Sequence, residues 1–562
     1  MFLPTTRQEM LALEWEQLDV ILVTGDAYID SPFIGVAVIG HVLADVGYRV
    51  GIIAQPDIHG PDDITRLGEP ALFWGVTGGS IDSLVANYTA LKKPRRSDDY
   101  TPGGRNTRRP DRAVIVYTNL IRRYFKDTAP IVLGGIEASL RRVAHYDYWD
   151  DAIRRAVLLD AKADYLLYGM AEQSVLAFAD ALRFGDNPRR LRGLCYVADS
   201  PKKGYLELPA YAEVADKRNK RAFTAMFHTF YRNNDPRSAQ GLYQQYGNRY
   251  LIQNPPAPYL TQAKLDDVYA LDFEREVHPY YKKQGEVRAL QTIKFAVSTH
   301  RGCYGECNFC AIAVHEGRTV RWRSLESIVA EARKLTQLSD FKGYIQDVSG
   351  PTANMYGFEC PKKLRQGACP DRRCLSPQIC PALPVDHSAQ LELLRRLRAL
   401  PGVKKVFVAS GLRYDLLLHD QEHGAEYLQE LVAQHVSGQL KVAPEHTEKN
   451  VLREMGKPGP EPLLEFRRRF FNETRQAGLP QFLTYYFIAA HPGCTEGDMH
   501  RLRNFAYRKL KLHPEQVQIF TPTPSTYASL MYYTKLDPFT GERLFVEQGL
   551  RGKRRQKNIV VK

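Results

Sequence analysis

Cysteine thiols crowd into one short loop of this sequence, in the segment HRGCYGECNFCAI, at Cys303, Cys307 and Cys310. Each thiolate can bind one iron of a four-iron four-sulfur cluster, and three thiolates leave the fourth iron open to another ligand. A structural zinc site is normally closed by a fourth Cys or His nearby, and the candidates His300 and His315 lack the usual spacing. The loop therefore predicts a site-differentiated [4Fe-4S] cluster, with zinc ligation or buried free cysteines as the alternatives.

The cysteine loop follows the first strand of a repeating strand and helix series. That strand is KFAVSTH, and the later strands are GYIQDVSG, VKKVFVASG, GQLKVAPEH, QFLTYYFIAAHPG and EQVQIFTPTP. Segments with helical periodicity separate them. The pattern predicts a partial (β/α) barrel over residues 291–535, whose chemistry is expected at the C-terminal ends of the strands.

A separate strand and helix alternation fills residues 1–200. Apolar runs at VILVTGDAY, YRVGIIAQ, ALFWGVTGG, APIVLGG and ADYLLYG alternate with helical segments, which is typical of a doubly wound, Rossmann-like parallel sheet. The glycine pairs Gly78-Gly79 and Gly134-Gly135 end two of these strands, where ligands of such folds bind, although as phosphate loops they are weak signals. Glu137 is expected to complement a helix dipole.

Three segments lie outside these two patterns. Residues 93–112 are rich in Pro, Gly and Arg and are expected to form an exposed loop. Residues 201–290 are expected to form a connector that is helical around residues 211–246. Residues 536–562 are assigned to a basic C-terminal tail, and its last segment, RGKRRQKNIVVK, is expected to be mobile because it shows no apolar period.

The Cys-x-x-x-Cys-x-x-Cys spacing, with Phe309 before the third cysteine and a barrel pattern after it, resembles the signature of radical S-adenosylmethionine (radical SAM) enzymes. The resemblance implies that the amino and carboxylate groups of SAM chelate the open iron. One electron from the cluster then cleaves SAM to a 5'-deoxyadenosyl radical, which removes a hydrogen from substrate. An electron donor such as flavodoxin or ferredoxin is implied as well. The reaction stays open between methylation, sulfur insertion and other hydrogen-abstraction chemistry.

The resemblance also assigns positions that bind SAM, namely Phe309, Ser410 and Arg413. Ser410 and Arg413 lie at the strand end VASGLRYD, where related enzymes contact the ribose and carboxylate of SAM, and a plain polar rim is the alternative. The second strand ends in Ser349 and Gly350, at the place of a turn that receives the methionine amino group, but the usual Gly-Gly-Glu is missing. Later strand ends carry Glu445, His446 and His491, either as cavity groups or as supporting residues.

The segments DAYIDSPFIGVAVIGHVL, GGIEASLRRVAHYDYWDD and DVSGPTANMYG, together with the cysteine loop, resemble the YgiQ-type family of radical SAM proteins over nearly the whole chain. The resemblance implies a cobalamin-binding-like fold for the N-terminal domain. A cobalamin site presents a histidine in an Asp-x-His-x-x-Gly loop, whereas residues 30–35 read Asp-Ser-Pro-Phe-Ile-Gly. The sequence therefore favours a fold retained without cobalamin over cobalamin bound without that ligand.

A second cysteine group lies in an insertion of the barrel, residues 356–386. Its members are Cys360, Cys369, Cys374 and Cys380. Four thiolates in so short a segment can bind zinc or an auxiliary iron-sulfur cluster, although their spacing matches no standard signature. Reduced cysteines and redox disulfides are the alternatives. Cys195 and Cys494 have no cysteine neighbour in sequence and are expected to be structural.

Charge and hydropathy bear on location and partners. No apolar stretch among the 562 residues reaches the roughly 20 residues of a membrane helix. Acidic residues occupy the N-terminal segment where an export signal needs apolar ones, so a cytoplasmic location is expected. The formal charge of +14 favours an anionic partner, and basic clusters at residues 93–112, 217–221 and in the tail make RNA a candidate. A non-catalytic iron-sulfur protein that binds RNA or senses redox state is therefore the rival to an enzyme.

Overall fold

The computed structural model describes residues 1–561, which form two compact units. The first unit comprises residues 1–260 and 267–294, and the second comprises residues 261–266 and those from 295 onward. Lys562, the last residue of the predicted tail, lies outside the described residues. None of the helices within residues 1–561 has the length and apolar character that a membrane crossing requires.

The first unit is an α/β structure. Its strands are β1 (Val20–Thr24), β2 (Ile29–Asp30), β3 (Val50–Ala54), β4 (Phe73–Thr77), β5 (Ile131–Gly134), β6 (His145–Asp147), β7 (Ala152–Arg154), β8 (Tyr165–Leu167), β9 (Leu194–Ala198), β10 (Leu206–Leu208), β11 (Leu242–Tyr246), β12 (Arg249–Gln253) and β13 (Glu276–Val277). Its helices are α1 (Arg7–Ala12), α2 (Gly35–Asp45), α3 (Asp62–Thr65), α4 (Ser83–Asn87), α5 (Ala113–Tyr124), α6 (Gly135–Leu140), α7 (Val157–Ala161), α8 (Glu172–Arg183), α9 (Tyr211–Ala215), α10 (Lys220–Arg232), α11 (Gln262–Ala270, which includes residues of both units), α12 (Pro279–Lys282) and α13 (Ala289–Ile293).

The main sheet of this unit has the strand order β10-β11-β12-β9-β8-β5-β4-β1-β3. Strands β3, β1, β4, β5 and β8 run parallel, whereas β9 is antiparallel to β8. The apolar run of β1 is buried along its whole length, as expected for a parallel strand covered on both faces. The predicted doubly wound fold is confirmed. Because β3 and β4 lie on opposite sides of β1, the topological switch point is between β1 and β4.

Part of the predicted connector extends this sheet. Helices α9 and α10 agree with the helical segment predicted from residue 211, but β11 stands where that helix was expected to end. Residues of β11 alternate between buried and half-buried, and a two-residue turn at Gly247-Asn248 pairs β11 with β12. Gly247 has a φ of +64°, a conformation that favours glycine and that short hairpin turns require.

Residues 93–112 are not the fully exposed loop that the sequence suggested. Arg109 is 4% exposed, and its guanidinium lies at the C-terminal ends of β1 and β4. Nη1 lies 2.8 Å from Asp26 Oδ1 and donates to the Gly78 carbonyl at 2.7 Å, while Nη2 donates to Asp98 at 3.0 Å. A Cβ on Gly79 would lie 2.7 Å from Arg109 Nη1. The glycines at this strand end therefore make room for a side chain of the protein itself.

Glu137, which was expected to complement a helix dipole, also accepts hydrogen bonds from two other segments of the chain. Its side chain is buried, and it accepts hydrogen bonds from the backbone amides of Ser83 at 2.8 Å and Val114 at 3.3 Å. Burial raises the pKa of Glu137, with a further increase from the nearby carboxylate of Asp82. This carboxyl group therefore joins the starts of α4, α5 and α6 inside the first unit.

The second unit holds a second α/β series. Its strands are β14 (Ala296–Ser298), β15 (His300–Arg301), β16 (Arg321–Trp322), β17 (Tyr344–Ile345), β18 (Asp347–Ser349), β19 (Lys405–Val406), β20 (Gln439–Glu445), β21 (Phe482–Ala489) and β22 (Val517–Ile519). Its helices are α14 (Ile312–His315), α15 (Leu325–Thr336), α16 (Pro361–Gln366), α17 (Ser388–Arg398), α18 (Tyr414–His419), α19 (Gly424–Glu430), α20 (Lys449–Met455), α21 (Glu461–Gln476), α22 (Glu496–Phe505), α23 (Tyr527–Thr534) and α24 (Leu550–Val561).

The strands of this unit form the predicted partial barrel. β14 pairs in parallel with β18, β17 with β19, and β20, β21 and β22 with one another. A parallel bridge between Leu412 and Val442 and a 3.0 Å hydrogen bond from Val348 N to Phe407 O connect these pairs. The apolar sides of the strands and the surrounding helices share one core. Side chains at the C-terminal strand ends are thereby brought together.

The prediction of a mobile basic tail is wrong. Helix α24 packs on α22 and β22, with Val560 in the barrel core. Lys553 and Gln556 are fully buried as well, so the buried positions recur at helical spacing even though two of them are polar. Gln556 accepts a hydrogen bond from Ala490 N at 2.9 Å and donates to Cys494 O at 3.0 Å.

Replacing Arg109 tests the buried network at the ends of β1 and β4. Arg109→Ala leaves the carboxylates of Asp26 and Asp98 buried without their cation, and removal of one partner from a buried ion pair costs about 3–5 kcal/mol. We expect a loss of that size in the free energy of unfolding of the first unit, measured by urea denaturation. The exposed neighbour Arg108→Ala should change it by less than about 0.5 kcal/mol. Equal effects of the two substitutions would contradict the network.

Candidate functional site

The cysteine loop lies between the short antiparallel strands β15 and β16, just after β14. Asn308 fixes the loop: its backbone amide donates to Met455 O at 2.9 Å, and its side chain donates to Glu454 O at 2.8 Å. The Asn308 carbonyl accepts from Ala528 N at 2.8 Å. The buried side chain of Asn308 thus ties the loop to the end of α20 and the start of α23, a role that the sequence did not reveal.

Two of the three predicted ligands face a common space beside Gly305. A Cβ built on Gly305 would lie 3.2 Å from Cys303 Sγ, 3.6 Å from Cys307 Sγ and 3.2 Å from Arg413 Nη1. Thr352 Oγ1 lies 3.6 Å from Cys303 Sγ. Any side chain at position 305 would fill this space. The donor set of thiols next to a guanidinium fits a thiolate-held metal group together with an anionic ligand.

The three thiols of this loop are half-buried. Burial raises the pKa of Cys303 and Cys310, and the neighbouring Cys307 raises both further. Metal binding at Cys303 and Cys310 therefore has to release protons, because the thiolate is the form that coordinates.

Arg413 is held in place from both its main chain and its side chain. Asn354 accepts from Arg413 N at 2.8 Å and donates to Arg413 O at 3.0 Å. Arg413 Nε and Nη2 donate to the two carboxylate oxygens of Asp415 at 2.7 and 2.5 Å. Burial lowers the pKa of Arg413, but Asp415 outweighs that effect and the net shift is upward. This bidentate pair leaves Nη1 directed at the space beside Gly305.

Ser410, another predicted SAM contact, belongs to a polar group around Asp347. Ser410 Oγ donates to Asp347 Oδ2 at 2.5 Å, and Ser349 Oγ donates to the same oxygen at 2.9 Å. The backbone amide of Ala409 donates to Asp347 Oδ1 at 2.8 Å. Sequence reasoning missed Asp347, although a carboxylate in the predicted second strand was a usable signal.

Phe309 packs against one of the two candidate histidines, and the other lies near Cys494. The ring of Phe309 meets His491 edge-on at a centroid distance of 6.1 Å, and His491 packs against Phe520 at 5.0 Å. His446 Nε2 lies 3.6 Å from Cys494 Sγ. Burial lowers the pKa of His446 to about 3 and that of His491 to about 4. Both imidazoles are therefore neutral, which favours the supporting interpretation over an acid-base role.

Glu445 is a buried carboxyl group close enough to Arg413 to be influenced by its charge. It ends β20 with a φ of +67° and is buried, with Lys457 Nζ 3.9 Å from Oε1. Burial raises the pKa of Glu445 to about 7, against the lowering effects of Lys457 and Arg413. This carboxyl group can therefore hold or release a proton near neutral pH.

The second cysteine group lies in the insertion as predicted, and two of its members reach one small apolar cluster. Cys360 is buried beside Tyr304 and Phe358, and Cys374 packs against the same cluster. The buried Lys363 Nζ lies 3.5 Å from Cys374 Sγ. Burial raises the pKa of Cys374 to about 11, with Lys363 opposing the shift. Cys369 and Cys380 are half-buried, and Cys195 and Cys494 are buried and free.

Comparison with known proteins identifies both units. The family model described as Radical SAM N-terminal matches residues 2–296, and the model of the Radical SAM superfamily matches residues 297–506. A UPF0313 protein of Fusobacterium nucleatum is 55% identical over 561 residues, which cover 100% of this chain and 98% of that protein. A UPF0313 protein of Thermotoga maritima is 49% identical over 564 residues, with the same coverage of 100% and 98%.

Solved structures share the fold. The radical SAM methyltransferase TsrM of Kitasatospora setae, solved with cobalamin and a [4Fe-4S] cluster, matches with a TM-score of 0.51 and 15% identity over 91% of this chain and 77% of that one. The cobalamin-dependent SAM radical enzyme OxsB matches with a TM-score of 0.50 and 12% identity over 94% of this chain and 56% of that one. At such identities the likeness concerns the fold alone.

These matches define the protein as a radical SAM iron-sulfur enzyme, which binds a [4Fe-4S] cluster and SAM and acts on a substrate that is not assigned. More particularly, the chain belongs to the UPF0313 (YgiQ-type) family. The family predicted from the sequence motifs is thereby confirmed. Enzymes of this superfamily need an electron donor.

The pKa of Glu445 predicts a pH-dependent stability difference. Its folded pKa of about 7 exceeds the ordinary value of 4.5, so its contribution to stability is complete below about pH 4.5 and is lost as pH rises through 7. Gln does not titrate. The free energy of unfolding of Glu445→Gln, relative to wild type, should therefore rise by about 3 kcal/mol between pH 4 and pH 8 in denaturation experiments. Exposed Glu392→Gln should show no such trend, and a flat difference for Glu445→Gln would refute the shift.

Proposed function

We propose that Cys303, Cys307 and Cys310 hold the [4Fe-4S] cluster of this enzyme, and that SAM binds beside it at the C-terminal strand ends. The observation that carries the proposal is the space beside Gly305, which two thiols and Arg413 Nη1 surround within 3.6 Å. When bound, the cluster supplies an open iron for SAM and the electron that breaks a carbon-sulfur bond. The reaction on substrate stays unassigned between methylation, sulfur insertion and other hydrogen-abstraction chemistry.

Arg413 is suited to orient the carboxylate of SAM. Its guanidinium is fixed by Asp415 and its backbone by Asn354, so Nη1 points into the space without further loss of side-chain freedom. A guanidinium donates charge-assisted hydrogen bonds to carboxylates, which are stronger than neutral ones. Asp415 thus acts as a positioning residue, and Arg413 as the contact.

Asp347 and its two serines are suited to bind the other polar groups of SAM. The methionine ammonium needs acceptors, and Asp347 is a half-buried carboxylate on the second strand, where the usual Gly-Gly-Glu is missing. The hydroxyl groups of Ser349 and Ser410 can bond to ribose oxygens once SAM displaces part of their contact with Asp347. Asp347 therefore supplies the negative charge that the altered turn does not.

Product analysis tests this site. After anaerobic reconstitution and reduction with dithionite, wild type should form 5'-deoxyadenosine from SAM, and the triple Cys303→Ala, Cys307→Ala, Cys310→Ala variant should form none. Asp347→Asn and Ser410→Ala should each raise the KM for SAM by about tenfold, because each removes a hydrogen bond worth about 1–1.5 kcal/mol. The exposed Ser339→Ala serves as the control. Absence of 5'-deoxyadenosine from wild type with an intact cluster would instead support the non-catalytic rival.

We also propose that the second cysteine group holds its own metal, as zinc or as an auxiliary cluster. Cys360 and Cys374 already lie on one apolar cluster, and the buried cation of Lys363 next to Cys374 favours a thiolate there.

Metal analysis distinguishes the two cysteine groups. The triple variant at Cys303, Cys307 and Cys310 should retain iron or zinc, and adding Cys360→Ala and Cys374→Ala should remove it. Mass spectrometry measures the number of iron and zinc atoms per chain. Cys195→Ala is the control, which should leave both sites intact. Complete loss of metal in the triple variant alone would contradict an independent second site.

We propose that the N-terminal domain keeps its cobalamin-binding-like fold without binding cobalamin. Residues 30–35 offer no histidine, and Asp30 is committed to protein contacts: Oδ1 lies 2.7 Å from His41 Nε2, and Oδ2 accepts from Glu274 N at 2.9 Å. At the switch point, where ligands of such folds bind, Arg109 and Asp26 occupy the ends of β1 and β4. The residues present therefore do not fit the group that TsrM and OxsB bind.

An absorbance titration with hydroxocobalamin tests this point. The wild-type chain should leave the cobalamin spectrum unchanged and should retain no corrinoid after gel filtration. TsrM of Kitasatospora setae, which has been solved with cobalamin, is the positive control. Stoichiometric retention of cobalamin by the wild-type chain would overturn the proposal.

A further inference from the structure

His387 and Asn354 stand on either side of the cysteine-rich insertion, residues 356–386, and a hydrogen bond joins their side chains. Both residues are fully buried. His387 Nε2 lies 3.1 Å from Asn354 Nδ2, and His387 Nδ1 lies 2.8 Å from Asp420 Oδ2. The base of the insertion is thus closed by polar contacts that continue into the barrel.

The side chain of Asn354 uses both of its N–H donors in these contacts. One N–H of Nδ2 donates to Arg413 O at 3.0 Å and the other faces His387 Nε2, while Oδ1 accepts from Arg413 N at 2.8 Å. Exchanging the amide nitrogen and oxygen would direct N–H at N–H and oxygen at oxygen, so Arg413 permits only one orientation. Nε2 of His387 must therefore be an acceptor.

The tautomer of His387 follows from these partners. A neutral imidazole has one N–H donor and one nitrogen acceptor, so a bare Nε2 places the proton on Nδ1, which donates to Asp420 Oδ2. The same oxygen accepts from His387 N at 2.9 Å, and Oδ1 accepts from His423 N at 2.9 Å. Burial alone would raise the pKa of Asp420, but these hydrogen bonds outweigh it and the net shift is downward. Asp420 therefore remains an acceptor for His387.

Aromatic packing fixes the plane of the imidazole. The ring of His387 stacks on Tyr427 with centroids 4.7 Å apart and an interplanar angle of 19°, and Phe358 meets it edge-on at 6.1 Å. Hydrogen bonds at both ring nitrogens hold the ring against rotation within that plane. The acceptor at Nε2 consequently has a fixed direction toward Asn354.

We propose that His387 is a positioning residue for SAM binding, with Asp420 as its partner. Its Nε2 holds the amide of Asn354 in the orientation that fixes the main chain of Arg413, whose Nη1 points into the space beside Gly305. The inference rests on the proposed function, in which Arg413 contacts the carboxylate of SAM. His387 acts through Asn354 and is not itself a SAM contact.

Placement of the main chain matters because the guanidinium of Arg413 is held by Asp415 at one end and by its own backbone at the other. Buried N–H and C=O groups need partners, and Asn354 supplies one for each at Arg413. If the Asn354 amide could rotate, one of these groups would lose its partner and the backbone would shift. Nη1 would then move with it.

Two substitutions that keep different halves of the imidazole test the proposal in the reconstituted full chain. The side-chain amide of Gln reaches the place of Nε2, so His387→Gln retains an acceptor for Asn354, whereas that of Asn reaches only the place of Nδ1. In dithionite-driven formation of 5'-deoxyadenosine, His387→Asn should raise the KM for SAM by about tenfold, because one hydrogen bond is lost. His387→Gln should stay within about threefold of wild type, and kcat at saturating SAM should change by less than about twofold in both.

Two controls separate positioning from a general loss of stability. His435→Asn replaces another fully buried histidine, whose Nδ1 donates to Val406 O at 2.7 Å, and should lower stability to urea without raising the KM. In a double-mutant cycle, His387→Asn should raise the KM no further once Asn354→Ala is present. If His387→Asn does not bind the cluster, His387→Leu takes its place with the same expectation.

Equal KM values for wild type and His387→Asn would overturn the positioning role. So would an equal rise in His387→Gln or in the His435→Asn control, or additive effects in the cycle with Asn354→Ala. Failure of wild type to form 5'-deoxyadenosine with an intact cluster would instead refute the proposed function on which this inference rests.

Discussion

One constraint governs the second unit: the cysteine loop must be rigid while one side of it stays open. Rigidity comes from Asn308, whose main chain and side chain bond to the end of α20 and the start of α23. Openness comes from Gly305, because any Cβ there would enter the space between Cys303, Cys307 and Arg413. The partial barrel meets both demands by placing its strand ends, and the helices that follow them, around one loop.

In the first unit, a side chain of the protein lies at the sheet edge where doubly wound folds bind ligands. In doubly wound folds the switch point is a crevice because adjacent crossover helices diverge. Here the guanidinium of Arg109 lies in that position between two carboxylates. Buried ion pairs contribute little net stability compared with apolar packing, but a missing partner is costly. Such a network therefore fixes one arrangement of the strand ends rather than adding much stability.

Much of this architecture follows from local sequence signals. The parallel strands of the first unit were predicted from their continuous apolar runs. The role of the three loop cysteines as cluster ligands, predicted from their spacing, stays a prediction. Arg109, Asp347 and Asn308 were not assigned these roles, since each depends on partners that lie far away in the sequence. The prediction of a mobile tail was wrong for a related reason. Lys553 and Gln556 are polar residues at buried helical positions, so the hydropathy pattern did not indicate a helix. The hairpin at β11 was missed although Gly247-Asn248 gave a local turn signal.

The proposed function requires that SAM bind the open iron of a cluster held by Cys303, Cys307 and Cys310. Electron-nuclear double resonance on the reduced, reconstituted enzyme measures this directly, using SAM labelled with ¹⁷O in its carboxylate and ¹⁵N in its amino group. We expect hyperfine coupling of both nuclei to the cluster spin, with the ¹⁷O coupling altered in Arg413→Lys, because Arg413 is proposed to orient the carboxylate. A reduced [4Fe-4S] cluster that shows no coupling to either label at saturating SAM would contradict it.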